Sequence, residues 1–282
     1  MSQKLSFQER INKVKDALSH ADYLLIGAGS GLSTAAGFTY SGPRFEANFK
    51  DFEDKYGFED MYSGGFYPFS TLEEKWAYWS RYIYLNRYEQ GANPLYVSLL
   101  NLVKDYNYFV LTTNVDHQFQ LAGFDKQKLF YTQGDYGLFQ CSLPCHKQTY
   151  DNKEQVLQMI SLQKNRHIPT SLIPYCPKCG RPMEMNLRAD DTFVEDVGWH
   201  KHAGLCQDFL DQMKHHTCVL LEIGVGFNTP GIIRFPFEQM AVQNKDFTLI
   251  RINKDNLDCY YPAEDKMIGF TEDLQDIIAS LK

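Results

Sequence analysis

Four cysteines carry the most specific chemistry in the sequence. Cys141 and Cys145 form one close pair, Cys176 and Cys179 a second, and a longer loop separates them. Two close thiol pairs can present four sulfurs tetrahedrally to zinc, and a site saturated by cysteine keeps no open position for substrate. The expected zinc is therefore structural. Pro177, Lys178 and Gly180 supply the tight knuckle the second pair needs. Cys206, Cys218 and Cys259 have no such partner, and Cys218 reads as core.

A second group of residues has the chemistry of a nucleotide site. The apolar run 23–26 enters the glycine-rich turn GAGSGLSTAAGF and then a helix start. Such a turn lets backbone approach a pyrophosphate, and a helix N-terminus favours negative charge. The dehydrogenase form of this signal fails two checks. Its third glycine would fall on Leu32 or Thr34, and no second strand ending in Asp or Glu follows about 20 residues later. Hydride transfer is disfavoured, while a phosphate site remains open. Farther on, TTNVD holds Asn114 and Asp116, and TQGDYG holds Gln133. Asn and Asp also favour turns and helix N-caps, so residue type alone leaves their role open.

These residues need elements to hold them. Short apolar runs recur at 23–26, 109–111, 129–131, 219–223 and 249–252, each ending in an unusual polar segment. Runs of this length bounded by turn signals suit strands of a parallel sheet covered on both faces. Ligands of open α/β sheets bind beyond the carboxyl ends of the strands, so the five polar segments should converge on one crevice. Two insertions interrupt the pattern. Residues 43–90 are too rich in Phe, Tyr and Trp for a disordered linker. Within them, TLEEKWAYWSRYIYLNRY reads as a helix capped by Thr71 with Glu74 three residues on, and Leu72, Trp76, Trp79 and Ile83 share one face. Residues 141–187 hold the metal cysteines. The expected division is a Rossmann-like domain from 1–42, 91–140 and 188–282, a helical insertion at 43–90 and a zinc module at 141–187.

Composition limits the function classes. A chain of 282 residues that is 44% hydrophobic supports one sizeable core with a smaller module attached. Its net charge of -7 argues against a general nucleic-acid binder, which needs a dense basic patch. No apolar stretch has the length of a membrane span and the first residues do not read as a signal peptide. Cytoplasm is the expected compartment, and neither nucleic acid nor membrane is an expected partner.

Taken in order along the chain, the motifs resemble those of the sirtuin family. GSGLSTAAGF resembles the GAGISxxxGI motif that opens the sirtuin cofactor site, and LTTNVD resembles TQNID. QGDYGLFQC is similar to the HG motif and its spacing to the first zinc cysteine. LRADDTFVE stands where sirtuins have LRPxVVxFGE. GVGFNTP resembles GTSLxVxP, and Ile252 with Asn253 resembles the late Ile-Asn pair. The resemblance covers most of the chain from residue 23 onward. It implies a sirtuin-type α/β fold binding NAD between a Rossmann-like domain and a smaller domain of zinc module and helical insertion. It also implies cleavage of the nicotinamide–ribose bond of NAD. By resemblance, Gly29, Ser30, Gly31 and Thr34 cradle the pyrophosphate, with Thr113, Gly224 and Gly226 near the phosphates and ribose. Asn253 contacts the adenosine ribose, Asn114 organises the nicotinamide ribose, and Asp116 lies by the nicotinamide pocket.

The departures from the family pattern bear on the reaction. Most sirtuins have His where this chain has Gln133, and a carboxamide cannot act as a general base near neutral pH. The IPDFR stretch is replaced, leaving Arg44 and Phe45 as the candidate phosphate-binding cation and ribose-side ring. The apolar pair of VVxFGE becomes Asp191 and Thr192, which does not suit a buried acyl-lysine channel. Such a chain resembles the class M, macrodomain-linked sirtuins. That resemblance implies a protein mono-ADP-ribosyltransferase using NAD, a lipoylated carrier similar to the glycine-cleavage H protein as acceptor, and a macrodomain hydrolase as functional partner. An NAD-dependent deacylase and a non-catalytic sensor of NAD or ADP-ribose are the rival readings.

Overall fold

A computed structural model describes residues 5–282. Among the described residues, nine strands form two sheets: β1 (Tyr23–Ala28), β2 (Tyr108–Thr112), β3 (Leu129–Tyr131), β4 (Gly134–Cys141), β5 (Tyr150–Asp151), β6 (Met183–Leu187), β7 (Cys218–Ile223), β8 (Phe247–Ile252) and β9 (Met267–Phe270). The large sheet is parallel with strand order β3-β2-β1-β7-β8-β9. Every apolar run read as a strand forms one.

The helices are α1 (Phe7–Ser19), α2 (Ser30–Ala35), α3 (Pro43–Tyr56), α4 (Met61–Gly65), α5 (Leu72–Ile83), α6 (Pro94–Val103), α7 (Gln118–Leu121), α8 (Lys153–Leu162), α9 (Val197–Met213), α10 (Arg234–Gln243) and α11 (Leu274–Leu281). Strand residues point alternately to opposite faces, so each strand feeds two cores. Leu24, Ile26, Val219 and Leu221 pack with α1, α6 and α11 on one face. Leu25, Leu220 and Leu249 pack with α9 and α10 on the other. Burying each such side chain contributes about 2 kcal/mol, and a sheet apolar on both faces has no stable alternative to being covered twice. The strand order reverses between β1 and β7. This is the switch point where α/β sheets open a crevice at their carboxyl ends.

The small antiparallel sheet has order β5-β4-β6. Its central strand begins at Gly134, so the change of sheet comes before the boundary expected at 140. The reason is a pairing between β4 and β6 that residues distant in sequence decide. A third core joins the aromatic insertion to this sheet: Trp76, Tyr78 and Tyr82 pack with Phe139, Val156 and Met159, and with Cys141 and Cys176. The helical insertion and the zinc module, expected to make up one smaller domain, share one interior.

Helix α5 begins as expected, with the Thr71 hydroxyl accepting from the Glu74 N–H at 3.2 Å. The Glu74 carboxylate instead accepts from Lys55 Nζ at 2.6 Å across to α3. The buried face is wider than one stripe and includes Tyr78 and Tyr82 as well as Trp76 and Ile83. The helix ends in a π-helical turn, Tyr84–Tyr88, a form often found at functional sites. Among the described residues, no helix is long and apolar enough to cross a membrane.

Candidate active site

The turn after β1 meets the turn after β7 at the switch point. The Gly29 N–H donates to Ile223 O at 3.0 Å, and the Gly31 N–H to Gly224 O at 2.9 Å. A Cβ on Gly31 would lie 2.6 Å from Gly224 Cα, and one on Gly224 only 2.4 Å from the Leu32 nitrogen. The two turns touch backbone to backbone, and only glycine permits that approach. This contact, which sequence reading assigned to a ligand, already uses the N–H groups of Gly29 and Gly31. The exposed hydroxyls of Ser30 and Thr34 make no hydrogen bond among the described residues, and Gly226 faces open space. The β7 turn is itself pinned: Val225 O accepts from Arg234 at 3.0 Å and from Asn253 Nδ2 at 2.9 Å. Asn253 Oδ1 also accepts from the Asp255 and Asn256 N–H groups, so this residue first organises its own loop.

The segment after β2 forms a buried polar cluster. Thr113 is tied by its N–H to Ala28 O at 3.1 Å. Asp116 is 5% exposed. Its Oδ2 accepts from the Ser33 hydroxyl at 2.5 Å and its Oδ1 from the Gln118 N–H at 3.0 Å. Burial pushes the Asp116 carboxyl up from the ordinary carboxylate value despite these donors. Asn114, 8% exposed, donates from Nδ2 to the Tyr96 hydroxyl at 3.3 Å. That hydroxyl also lies 3.0 Å from Ser33 Oγ. Asn114 Oδ1 accepts from no described residue. Ser33 and Tyr96 escaped sequence reading, because Tyr96 occupies a core position of α6 and nothing in its spacing marks its hydroxyl.

Gln133 stands half-buried between β3 and β4, and its carboxamide makes no hydrogen bond among the described residues. Two positions later, Asp135 is 4% exposed and joins three segments. Its Oδ2 meets His117 Nδ1, and its Oδ1 accepts from Arg87 Nε at 3.0 Å and the Gly137 N–H at 2.7 Å. Burial opposes this charge, but the imidazole, the guanidinium and the N–H together hold the carboxyl below its ordinary value. His117 takes a left-handed backbone, φ 65°, a conformation costing a non-glycine residue about 1 kcal/mol. None of these three residues was singled out in the sequence.

Other expected residues are placed differently. Phe45 is 2% exposed and stacks on Phe49 at 5.7 Å, so its ring belongs to the aromatic core and offers no face to a ribose. Arg44 donates to Thr39 O, Leu85 O and Asn86 Oδ1 at 2.7 to 3.0 Å, which commits most of its guanidinium to the fold. Asp191 is exposed and lines an open groove of about 570 Å³ with Arg188, Phe193 and the Cys145–Lys147 segment. Its carboxylate is hydrated, so the burial cost invoked for it does not apply.

The four cysteines come together as expected, their sulfurs all within 4.8 Å of one another. Cys141 lies 3.5 Å from Cys179 and Cys145 3.7 Å from Cys176. Four thiolates at zinc–sulfur distance stand about 3.8 Å apart, so the cluster fits a structural zinc. The Cys176 N–H donates to Arg181 O, and Gly180 returns a bond to Cys176 O, closing the knuckle.

With this geometry the chain is similar to several known proteins. No protein-family model matches it. A protein ADP-ribosyltransferase of Staphylococcus aureus is 38% identical over 268 residues, 95% of this chain and 85% of that protein. A probable bifunctional ADP-ribose hydrolase/ADP-ribosyltransferase of Fusarium oxysporum is 30% identical over 249 residues, 84% of this chain but 41% of that protein. Among solved structures, a Sir2 complex with a p53 peptide and NAD+ superposes with TM-score 0.57 at 14% identity, covering 95% of both chains. A Sir2 homologue variant with 2'-O-acetyl ADP ribose gives TM-score 0.60 at 14% identity over 95% of this chain and 94% of the other. At that identity the likeness establishes the fold.

Proposed function

This chain belongs to the sirtuin-type protein ADP-ribosyltransferases, and from that premise we propose that it is a class M, macrodomain-linked member acting on a lipoylated carrier. The reaction would break the nicotinamide–ribose bond of NAD and join the anomeric carbon to a nucleophile of the acceptor protein, with nicotinamide leaving. The observation that carries the reading is Gln133. A carboxamide with no hydrogen-bond partner among the described residues stands between β3 and β4, where deacylation needs a base.

In this reading Asn114 Oδ1 and the Gln133 carboxamide hold the nicotinamide ribose, since both are polar groups the fold leaves unpaired. Asp116 sits at the nicotinamide end, where a carboxylate in a dry site favours positive charge developing on the sugar. Ser30, Thr34 and Gly226 face the phosphates and Asn253 the adenosine side. Arg44 contributes its charge to the phosphates from a fixed position, and Thr113 holds its segment against β1. The groove lined by Asp191 and Arg188 is open and charged, which suits a protein surface better than a buried apolar chain. The Fusarium oxysporum relative, a probable bifunctional ADP-ribose hydrolase/ADP-ribosyltransferase, supports a macrodomain hydrolase as the partner that reverses the modification. We place the reaction in the cytoplasm, with neither nucleic acid nor membrane as partner.

The test is incubation with NAD and an H-like carrier in lipoylated and unlipoylated forms, beside an acetyl-lysine peptide. ADP-ribosylation of the lipoylated carrier alone is the expected result. Deacetylation of the peptide with both carriers unmodified would overturn the proposal in favour of a deacylase.

A further inference from the structure

The buried ion cluster at Asp135 has no part in the reaction just described, yet it touches the segments that supply Asn114, Asp116 and Gln133. Asp135 lies two residues after Gln133 at the start of β4. Its Oδ2 meets His117, which directly follows Asp116, and its Oδ1 accepts from Arg87 in the π-helical turn of the aromatic insertion. That turn sends consecutive side chains to different partners: Asn86 to Arg44 at 2.9 Å, Arg87 to Asp135 at 3.0 Å, and Tyr88 to Asn152 at 2.6 Å. Asp135 thus bonds the large sheet, the small sheet and the insertion to one another, beside the backbone bond from the Tyr136 N–H to Val115 O at 2.9 Å.

Two features exclude an incidental contact. Asp135 is almost wholly buried, and an unpaired carboxylate there would be costly, so it depends on the His117 imidazole and the Arg87 guanidinium. His117 reaches it only by holding a left-handed backbone that glycine or asparagine would adopt more readily. The sequence keeps a strained histidine one residue from Asp116 and three from Asn114.

We propose that Arg87, Asp135 and His117 form a positioning clamp that holds the Asn114–Asp116 segment in register with Gln133 across the domain boundary. These are positioning residues: they act through Asn114, Asp116 and Gln133. The charged and titratable groups around the clamp are Asp116 on the same segment, Arg87 and Tyr88 on the π-helical turn, and Tyr131 on β3. The inference rests on the proposed NAD chemistry for its catalytic readout.

The most informative variant is His117→Gly, because glycine suits the left-handed backbone and the variant removes the imidazole alone, leaving Arg87 and the Gly137 N–H on Asp135. Nicotinamide release from NAD in the presence of acceptor is measured alongside melting temperature, with His117→Gln as the conservative control. The clamp predicts a kcat lower by about tenfold or more, since small misplacements of reacting groups are costly. It also predicts a KM for NAD within about threefold of the starting enzyme, and recovery in the Gln variant, whose amide can still donate to Asp135. Hydrogen exchange should quicken at amides 114–118 and 134–137 while β1 stays protected. Unchanged kcat and unchanged exchange in the glycine variant would overturn the clamp. So would a kcat loss that follows a fall in melting temperature and is not recovered by glutamine. If the unaltered enzyme released no nicotinamide, the functional reading would fall, and exchange would still decide the clamp.

Discussion

Asp116 and Asp135 are both buried, yet their surroundings move them in opposite directions. Asp116 has hydroxyl and N–H donors but no cation among its hydrogen-bond partners, so desolvation dominates and its carboxyl is raised. Asp135 has an imidazole and a guanidinium, which overcome the same burial. Environments that separate two carboxylates in this way divide their roles, one adjusted to the reaction and the other to holding the site. For a group raised in the folded state, the stability contribution is fully present below its unfolded value, here 3.8, and is lost as pH rises through the raised folded value. Asp116→Asn removes that loss. At neutral pH the variant should be as stable as the original or about 1 kcal/mol more stable, while nicotinamide release falls about a hundredfold. Urea unfolding from pH 4 to 7 checks the sign: the variant's advantage should grow with pH. A variant whose relative stability fell as pH rose would show that Asp116 is held as a favourable charge. Ser33, Tyr96, Arg87 and His117 were not legible at this scale, because each is an ordinary residue until folding brings its partner near.

The elements were legible where one local signal decided them. Apolar runs bounded by glycine and polar residues became strands, and Thr71 before an amphipathic run became the start of α5. What escaped depended on distant partners. The start of the small sheet at Gly134 is fixed by pairing with β6, and the π-helical turn by what its side chains reach. Phe45 was assigned to a ribose by motif register, whereas helix α3 turns it into the aromatic core. The zinc module belongs to this scale. Cys141 and Cys176 lie in the same interior as Trp76, whose ring meets Phe139 edge-on at 5.0 Å. Losing the metal should therefore loosen the insertion as well as the knuckle, because structural zinc contributes directly to folding. Metal analysis should find zinc bound to the four cysteines, and Cys176→Ser should lose it and shift tryptophan emission to the red. A serine variant with unchanged melting temperature and emission would contradict the shared interior.

At the scale of the whole molecule, a three-stranded antiparallel sheet adjoins a six-stranded parallel sheet whose strand order reverses between β1 and β7. Three of the polar segments read from the sequence are cross-linked there: the β1 and β7 turns by backbone contact, and the β2 segment to Ser33. That convergence was legible because strand ends in a parallel sheet all face one way. The bonding across the domain boundary was not, since Asp135 gives no sign in sequence of reaching two other segments. In the proposed function, the choice between acyl removal and ADP-ribosyl transfer rests on the Gln133 carboxamide. The most direct measurement uses NAD labelled separately on nicotinamide and on the adenylate, with a lipoylated carrier as acceptor. The account predicts that one nicotinamide is released for each adenylate label fixed to protein, and that Asn114→Ala abolishes both. Nicotinamide released only with an acyl-lysine peptide, its acyl group recovered on free ADP-ribose, would contradict it.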